Sequence, residues 1–184
     1  NPEKNGLDEL NEFYLNKIKI FDDDITHFTD KMPQNFKWIG IILNCFPKAK
    51  IINIKRDEMA TCWSIFKHYF TSKSGNKFSY NLNDIGNYYK LYKNLMEFWN
   101  SNYPNKIYTL KYENLIQKKD EEIKNLLNFC ELNWEDSCKE FHKNKRVIHT
   151  ASSTQIRKKI YNGSSEKWKN FKPYLKDLLT QLSD

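Results

Sequence analysis

The sequence predicts an α/β protein in which a parallel sheet is flanked by helices. Two short runs, 50–55 and 106–112, have the isoleucine- and tyrosine-rich composition and the length of buried strands. Segments with helical spacing of apolar residues lie before, between and after them. This alternation is typical of parallel strands joined by helical crossovers. We therefore expect a single α/β domain over residues 1–184.

The first half of the chain is predicted to supply two helices, a strand and a third helix. Apolar residues recur at helical spacing in the first two segments, and Pro33 suits the opening turn of the second. After the strand, Asp57 is expected to cap the next helix, whose first turn carries another carboxylate. In order, these elements are helix 7–21, a helix opened by Pro33 that contains Cys45, strand 50–55 and helix 57–71.

The second half is predicted to hold a long helix, the second strand and two amphipathic helices. Gly75 lies in a polar surface loop before the long helix, and Pro104 ends that helix. Residues 147–167 are rich in serine, threonine and basic residues without periodicity, which indicates a long loop of the kind that often carries function. In order, the elements are helix 82–103, strand 106–112, helix 121–130 and helix 168–182.

Composition favours an anionic partner. The chain has 30 lysines and arginines against 23 acidic residues, which gives a formal net charge of +7. Nucleotides, nucleic acid, acidic peptides and membrane surfaces suit this balance, although an AT-rich genome produces the same abundance of lysine. The four cysteines lack the spacing of a zinc site and suit a reducing compartment, so no metal is expected. No apolar run approaches a membrane span, and no signal peptide is visible.

The strongest site signal is the corner where strand 50–55 meets helix 57–71. Arg56 stands at the end of the strand, and Ser64 lies two turns into the helix. At such corners, backbone N–H groups and the helix dipole attract anions. A guanidinium adds a fork of donors for phosphate oxygens, and a hydroxyl adds one more. We therefore predict a phosphate site here. His68 lies on the same helix face as Ser64, so it is a candidate member of this site. The alternative is a half-buried helix histidine with only a structural role.

Several motifs along the chain resemble, in order, those of the sulfotransferases. The closest resemblance is to bacterial sulfotransferase-domain proteins and tyrosylprotein sulfotransferases, and it runs from about residue 29 to the C terminus. It implies a P-loop-kinase-like fold and 3′-phosphoadenosine 5′-phosphosulfate (PAPS) as the donor. The matching segments are Lys31-Met32-Pro33 (K-x-P), Arg56-Asp57 with Ser64 (R-D-x-x-x-x-x-x-S), Tyr112-Glu113-Asn114-Leu115 (Y-E-x-L), Cys130 to Trp134 (F-x-G-x-x-W), and Thr150 to Trp168 (the C-terminal nucleotide loop).

The resemblance also implies roles for individual residues. Lys31 is the implied catalytic residue, because the family's lysine reaches the transferring sulfuryl group. A fixed cation there stabilises the negative charge that builds on the leaving phosphate. Arg56 and Ser64 are implied to hold the 3′-phosphate, and Tyr112 to lie near adenosine. Composition alone would instead make the C-terminal loop a solvated basic segment. The full set of implied nucleotide-binding residues is Arg56, Ser64, His68, Tyr112, Ser152, Arg157, Tyr161 and Lys167.

The family's 5′-phosphosulfate loop has no counterpart in the sequence. The five glycines are far apart, and no glycine-rich phosphate motif is present. In tyrosylprotein sulfotransferases the general base, a glutamate, also lies in that part, so no acidic residue is assigned this role. We expect the C-terminal portion of a longer enzyme, which the start at Asn1 favours, or a degenerate member. Without the N-terminal strand, phosphate loop and helix, weak activity or none is expected.

The leading functional prediction is a sulfotransferase that uses PAPS and releases 3′-phosphoadenosine 5′-phosphate (PAP). Its acceptor would be a hydroxyl or amine of a carbohydrate, a peptide tyrosine or a small metabolite. A non-catalytic nucleotide-binding or interaction module on the same scaffold is the alternative. Nucleic-acid binding would explain the charge, but no motif supports it, and no nucleic acid partner is expected. The predicted compartment is the cytoplasm, or the Golgi lumen for a eukaryotic protein, and a homodimer is left open.

Overall fold

The computed structural model describes residues 2–19, 27–70, 75–143 and 163–183. Within these ranges the chain forms seven α-helices, two strands and four 3₁₀ helices. In chain order they are α1 (Pro2–Lys19), α2 (Ile39–Cys45), β1 (Ile51–Lys55), α3 (Glu58–Phe66), α4 (Leu82–Asn102), β2 (Ile107–Lys111), α5 (Tyr112–Gln117), α6 (Lys119–Phe129) and α7 (Lys176–Ser183). The 3₁₀ helices are Asn35–Trp38, Lys77–Tyr80, Asp136–Lys143 and Lys167–Tyr174.

β1 and β2 pair as a parallel two-stranded sheet, which confirms the predicted α/β class. The backbone N–H of Ile51 donates to the carbonyl of Lys106 at 3.0 Å. Further along both strands, the Asn53 side chain donates to the Thr109 hydroxyl at 3.4 Å. Because both partners advance together, the strands run in the same direction. The connection between them passes through α3 and α4, as in a βαβ crossover.

The expectation that β1 is buried is wrong, because none of its five residues is buried and one face is exposed. Ile52 is 40% exposed and Ile54 is 64% exposed. Alternate residues of a strand point to the same face, so both isoleucines lie on one side of the sheet. A parallel strand is buried on both faces only where a layer packs on each of them. The described residues leave the face of Ile52 and Ile54 uncovered.

The chain clusters into two compact units. Unit 1 comprises residues 1–51 and 92–107, and unit 2 comprises residues 52–91 and 108–184. The buried core of unit 1 is formed by Ile39, Leu43 and Met96. The largest fully buried side chains of unit 2 include Cys62, Ile85, Leu175 and Leu178. The single domain expected over residues 1–184 stays a prediction.

The helix that was predicted over 168–182 is broken in the structure. A 3₁₀ helix covers Lys167–Tyr174 and contains Pro173. Leu175 then leaves helical geometry, with φ −111° and ψ 23°, before α7 begins. Proline lacks the backbone N–H that a continuous helix needs and crowds the preceding turn. The prediction of one helix was therefore wrong, and two short helices share its sequence.

The thiol of Cys62 behaves as part of the core. All four cysteines are free, and Cys45 and Cys62 are buried. Burial, together with the nearby carboxylates of Glu58 and Asp57, raises the pKa of Cys62 to about 12. Cys62 is therefore a small buried side chain of the core rather than a reactive thiol. Among the described helices, none combines the length and apolar content needed to cross a bilayer.

Replacing Gly86 with alanine is expected to destabilise unit 2, because α7 packs closely against α4 at this position. A Cβ at Gly86 would lie 2.6 Å from Cβ of Gln181. That atom is attached directly to the α7 backbone, so α7 would have to shift. We expect Gly86→Ala to lower the free energy of unfolding by about 2 kcal/mol, measured by urea denaturation followed by circular dichroism.

Gly6→Ala is the matched control for this prediction. Gly6 also lies in an α-helix, but a Cβ added there would have no neighbouring atom within 4 Å. Alanine should therefore stabilise the helix there by roughly 0.5–1 kcal/mol. A Gly86→Ala protein as stable as wild type would show that the two helices are not in close contact.

Candidate functional site

The corner between β1 and α3 is built from local hydrogen bonds. The Asp57 carboxylate accepts from the Ala60 backbone N–H at 2.7 Å, which confirms the predicted helix cap. The Thr61 hydroxyl donates to the Asp57 carbonyl at 2.9 Å. These bonds fix the first turn of α3 against the end of the strand. Arg56 precedes the cap directly, and its side chain is half-buried.

The guanidinium of Arg56 is held by a segment far along the chain. Its Nε–H donates to the Ser165 hydroxyl at 3.1 Å, and its Nη2 donates to the Ser164 carbonyl. The guanidinium carbon lies 5.4 Å from the ring centre of Tyr112, within the range of a cation–π interaction. Two hydrogen bonds and one ring contact therefore fix the plane of this side chain.

Glu113, the first residue after Tyr112, connects the corner to the same segment. Its Oε1 accepts from the Asp57 backbone N–H at 3.1 Å and from the Ser165 hydroxyl at 2.6 Å. Partial burial of the carboxyl group opposes ionisation, but the hydrogen bonds and the charge of Arg56 outweigh it and lower the pKa of Glu113. Glu113 is thus an ionised acceptor at neutral pH.

A cleft of about 270 Å³ opens beside Arg56 in unit 2. Among the described side chains that line it are basic groups, hydroxyls and an aromatic ring, and none is acidic. The Trp63 ring packs against the ring of Phe171, with 4.6 Å between the ring centres. The cleft is therefore complementary to an anion that carries a flat ring. The lining residues are Arg56, Ala60, Trp63, Ser64, Lys67, His68, Ser164 and Lys167.

Four of the residues predicted to bind a nucleotide line this cleft together: Arg56, Ser64, His68 and Lys167. His68 is exposed rather than half-buried, because α3 ends at Phe66 instead of residue 71. Tyr112 is not among the residues that line the cleft. Its ring lies against the Arg56 guanidinium, and its hydroxyl accepts a hydrogen bond from Ser164 Oγ at 3.4 Å. Ser152, Arg157 and Tyr161 lie outside the described residues.

Lys31, the predicted catalytic residue, is an exposed residue of unit 1. Its neighbour Asp30 accepts from the Tyr14 hydroxyl at 2.5 Å and from the Asn35 side chain at 3.3 Å. Burial of the phenol, followed by the hydrogen bond and charge of Asp30, raises the pKa of Tyr14 to about 12. The Asn35 backbone N–H donates to the Met32 carbonyl at 3.0 Å. The chain is therefore tethered on both sides of Lys31.

Of the other four residues that line the cleft, Ala60 lies on the same helix face as Ser64, and three were not predicted from the sequence: Trp63, Lys67 and Ser164. Trp63 lies three residues after Ala60, and Lys67 three residues after Ser64. Residues three and four apart share a helix face, so this spacing was a usable signal for both. Ser164 has no such helical spacing, but it lies within the segment Thr150 to Trp168 that resembles the family's C-terminal nucleotide loop, and it reaches Arg56 from there.

Comparison with known proteins relates the chain to a protein family and to a protein of similar sequence. A family model described as "Sulfotransferase family" matches residues 5–136, which is most of the chain. A protein of Aquifex aeolicus (strain VF5), which carries the name "Uncharacterized protein", is 37% identical to this chain over 174 residues. The matched region covers 94% of this chain and 23% of that relative, so the chain spans about a quarter of the relative's length.

Proposed function

Because the chain belongs to the sulfotransferase family, we propose that it acts with PAPS as its sulfuryl donor. The acceptor would be a hydroxyl or amine, carried by a carbohydrate, a peptide tyrosine or a small metabolite. The observation that supports this proposal best is the cleft at the β1–α3 corner, where Arg56 is fixed beside Ser64 and two lysines. Such a set of donors suits a phosphate group.

The described residues fit the 3′-phosphoadenosine part of the donor. Arg56, Lys67 and Lys167 supply positive charge, and Ser64 supplies a hydroxyl donor. The Trp63 indole offers a flat surface of the kind that a purine base stacks on, and Phe171 holds it in place. Since none of the described lining residues is acidic, a dianionic 3′-phosphate meets no opposing carboxylate there.

Lys31 carries the proposed catalytic charge. When PAPS reacts, negative charge builds on the phosphate that leaves the sulfuryl group. An ammonium near the bridging oxygen would stabilise that charge more than it stabilises the ground state. The tether of Asp30 to Tyr14 and Asn35 supports this role, because it fixes the backbone that presents the lysine.

Titration with PAP and with adenosine 5′-phosphate (AMP) tests the proposal. The two ligands share adenosine and a 5′-phosphate, and only PAP has a 3′-phosphate. We expect PAP at about 100 times its dissociation constant to stabilise the chain by about 2.7 kcal/mol, measured as a rise in melting temperature. AMP at the same concentration should have a much smaller effect.

Three outcomes decide between the candidate functions. Equal responses to PAP and AMP, or no response to either, would overturn the nucleotide site. Tight binding of oligonucleotides with a steep salt dependence, without a PAP response, would favour a nucleic-acid-binding protein. Binding of PAP without any turnover of PAPS by the full-length protein would favour the non-catalytic nucleotide-binding module.

A further inference from the structure

Glu113 does not line the cleft, yet hydrogen bonds connect it to the residue that we propose to hold the 3′-phosphate. Arg56 Nε lies 3.1 Å from Ser165 Oγ, and Ser165 Oγ lies 2.6 Å from Glu113 Oε1. The intermediate residue, Ser165, is only 9% exposed. Water therefore has little access to this connection, which makes the protein partners difficult to replace.

The chemistry of the three groups fixes the direction of these bonds. The guanidinium Nε–H can only donate, and an ionised carboxylate can only accept. The Ser165 hydroxyl has one proton, so it can donate one hydrogen bond, and it donates that bond to Glu113. A lone pair of the hydroxyl is then directed to Arg56. Without the carboxylate, the hydroxyl could turn, and the bond to Arg56 would lose its orientation.

This arrangement decides which donors of Arg56 are left for a ligand. Ser165 and the Ser164 carbonyl take the edge of the guanidinium formed by Nε and Nη2. Among the contacts of the described residues, the edge formed by Nη1 and Nη2 is left as a donor pair for phosphate oxygens. A bidentate contact of that kind depends on the angle of the guanidinium plane.

We propose that Glu113 is a positioning residue that aims Arg56 at the 3′-phosphate through Ser165. This inference rests on the proposed function, in which Arg56 binds that phosphate. Glu113 also accepts from the backbone N–H of Asp57, so one carboxylate fixes both the base of the β1–α3 corner and the side chain that projects from it. Glu113 therefore sets both the position and the orientation of the Arg56 guanidinium.

The test measures the dissociation constants of PAP and AMP by calorimetry for wild type, Glu113→Ala, Glu113→Gln and Ser165→Ala. Losing the aligned hydrogen bond should weaken PAP binding about tenfold in Glu113→Ala and Ser165→Ala. AMP binding should change little, because AMP has no 3′-phosphate. Glutamine keeps a carbonyl oxygen as acceptor, so Glu113→Gln should recover most of the PAP affinity. Melting curves for each variant report on the fold.

Glu166→Ala is the matched control, since Glu166 lies in the same segment, is exposed and pairs with Lys169. It should bind PAP as wild type does. PAP binding by Glu113→Ala at wild-type strength would overturn the positioning role. An equal loss for PAP and AMP, with a lowered melting temperature, would overturn it too, because the role would then be structural only. A wild-type protein that does not prefer PAP to AMP would instead overturn the proposed function itself.

Discussion

Replacing Arg56 with alanine is expected to weaken PAP binding about 100-fold, since each hydrogen bond to a charged group contributes roughly 1.5–3 kcal/mol. The guanidinium is half-buried, fixed by Ser165 and Tyr112, and directed to a cleft that contains further positive charge. AMP should lose far less affinity, because it lacks the phosphate that Arg56 is proposed to bind. Calorimetric titration of both nucleotides measures the difference.

Two controls accompany the Arg56 variant. Lys172→Ala removes an exposed positive charge from the 3₁₀ helix that also contains Lys167, but Lys172 is not among the residues that line the cleft. Its PAP affinity should stay close to that of wild type. Arg56→Lys keeps the charge and loses the bidentate geometry, so it should recover only part of the affinity. If Arg56→Ala binds PAP as strongly as wild type does, the 3′-phosphate is not held at this corner.

The elements that the sequence could predict are those decided by local interactions. The strands were expected at 50–55 and 106–112 and lie at Ile51–Lys55 and Ile107–Lys111. β-Branched residues that follow a proline-containing turn favour a strand at both places. The Asp57 cap is likewise local, because its bond spans three residues. The break in the C-terminal helix also has a local cause, because Pro173 cannot supply the backbone N–H of a continuous helix.

The candidate site was predictable only in part, for a physical reason. Arg56 and Ser64 are placed by one strand and one helix, so their spacing in the sequence carries the information. The bonds of Arg56 to Ser164 and Ser165 join residues 108 and 109 positions apart. The bond of Ser165 to Glu113 spans 52 positions. Such contacts depend on how distant segments pack, and no periodicity in the sequence encodes them.

Replacing Lys31 with alanine in the full-length enzyme is expected to lower the turnover of PAPS about 100-fold, the usual effect of removing one group that stabilises charge in a transition state. The affinity for PAP should change little, because the charge that Lys31 is proposed to stabilise develops only as the sulfuryl group leaves. The measurement is the conversion of PAPS to PAP, with a panel of hydroxylated acceptors and saturating donor. The dissociation constant of PAP is measured on the same preparation.

Lys37→Ala is the matched control, because Lys37 is an exposed lysine of the same unit whose ammonium group donates to Gln34 at 3.1 Å. It should keep both turnover and affinity. Equal losses of turnover and PAP affinity in Lys31→Ala would make Lys31 a binding residue, since an interaction present in both states cannot accelerate the chemical step. A loss of turnover alone would support a group that acts on the transition state. The ratio of the two effects therefore tests the role of Lys31 independently of the identity of the acceptor.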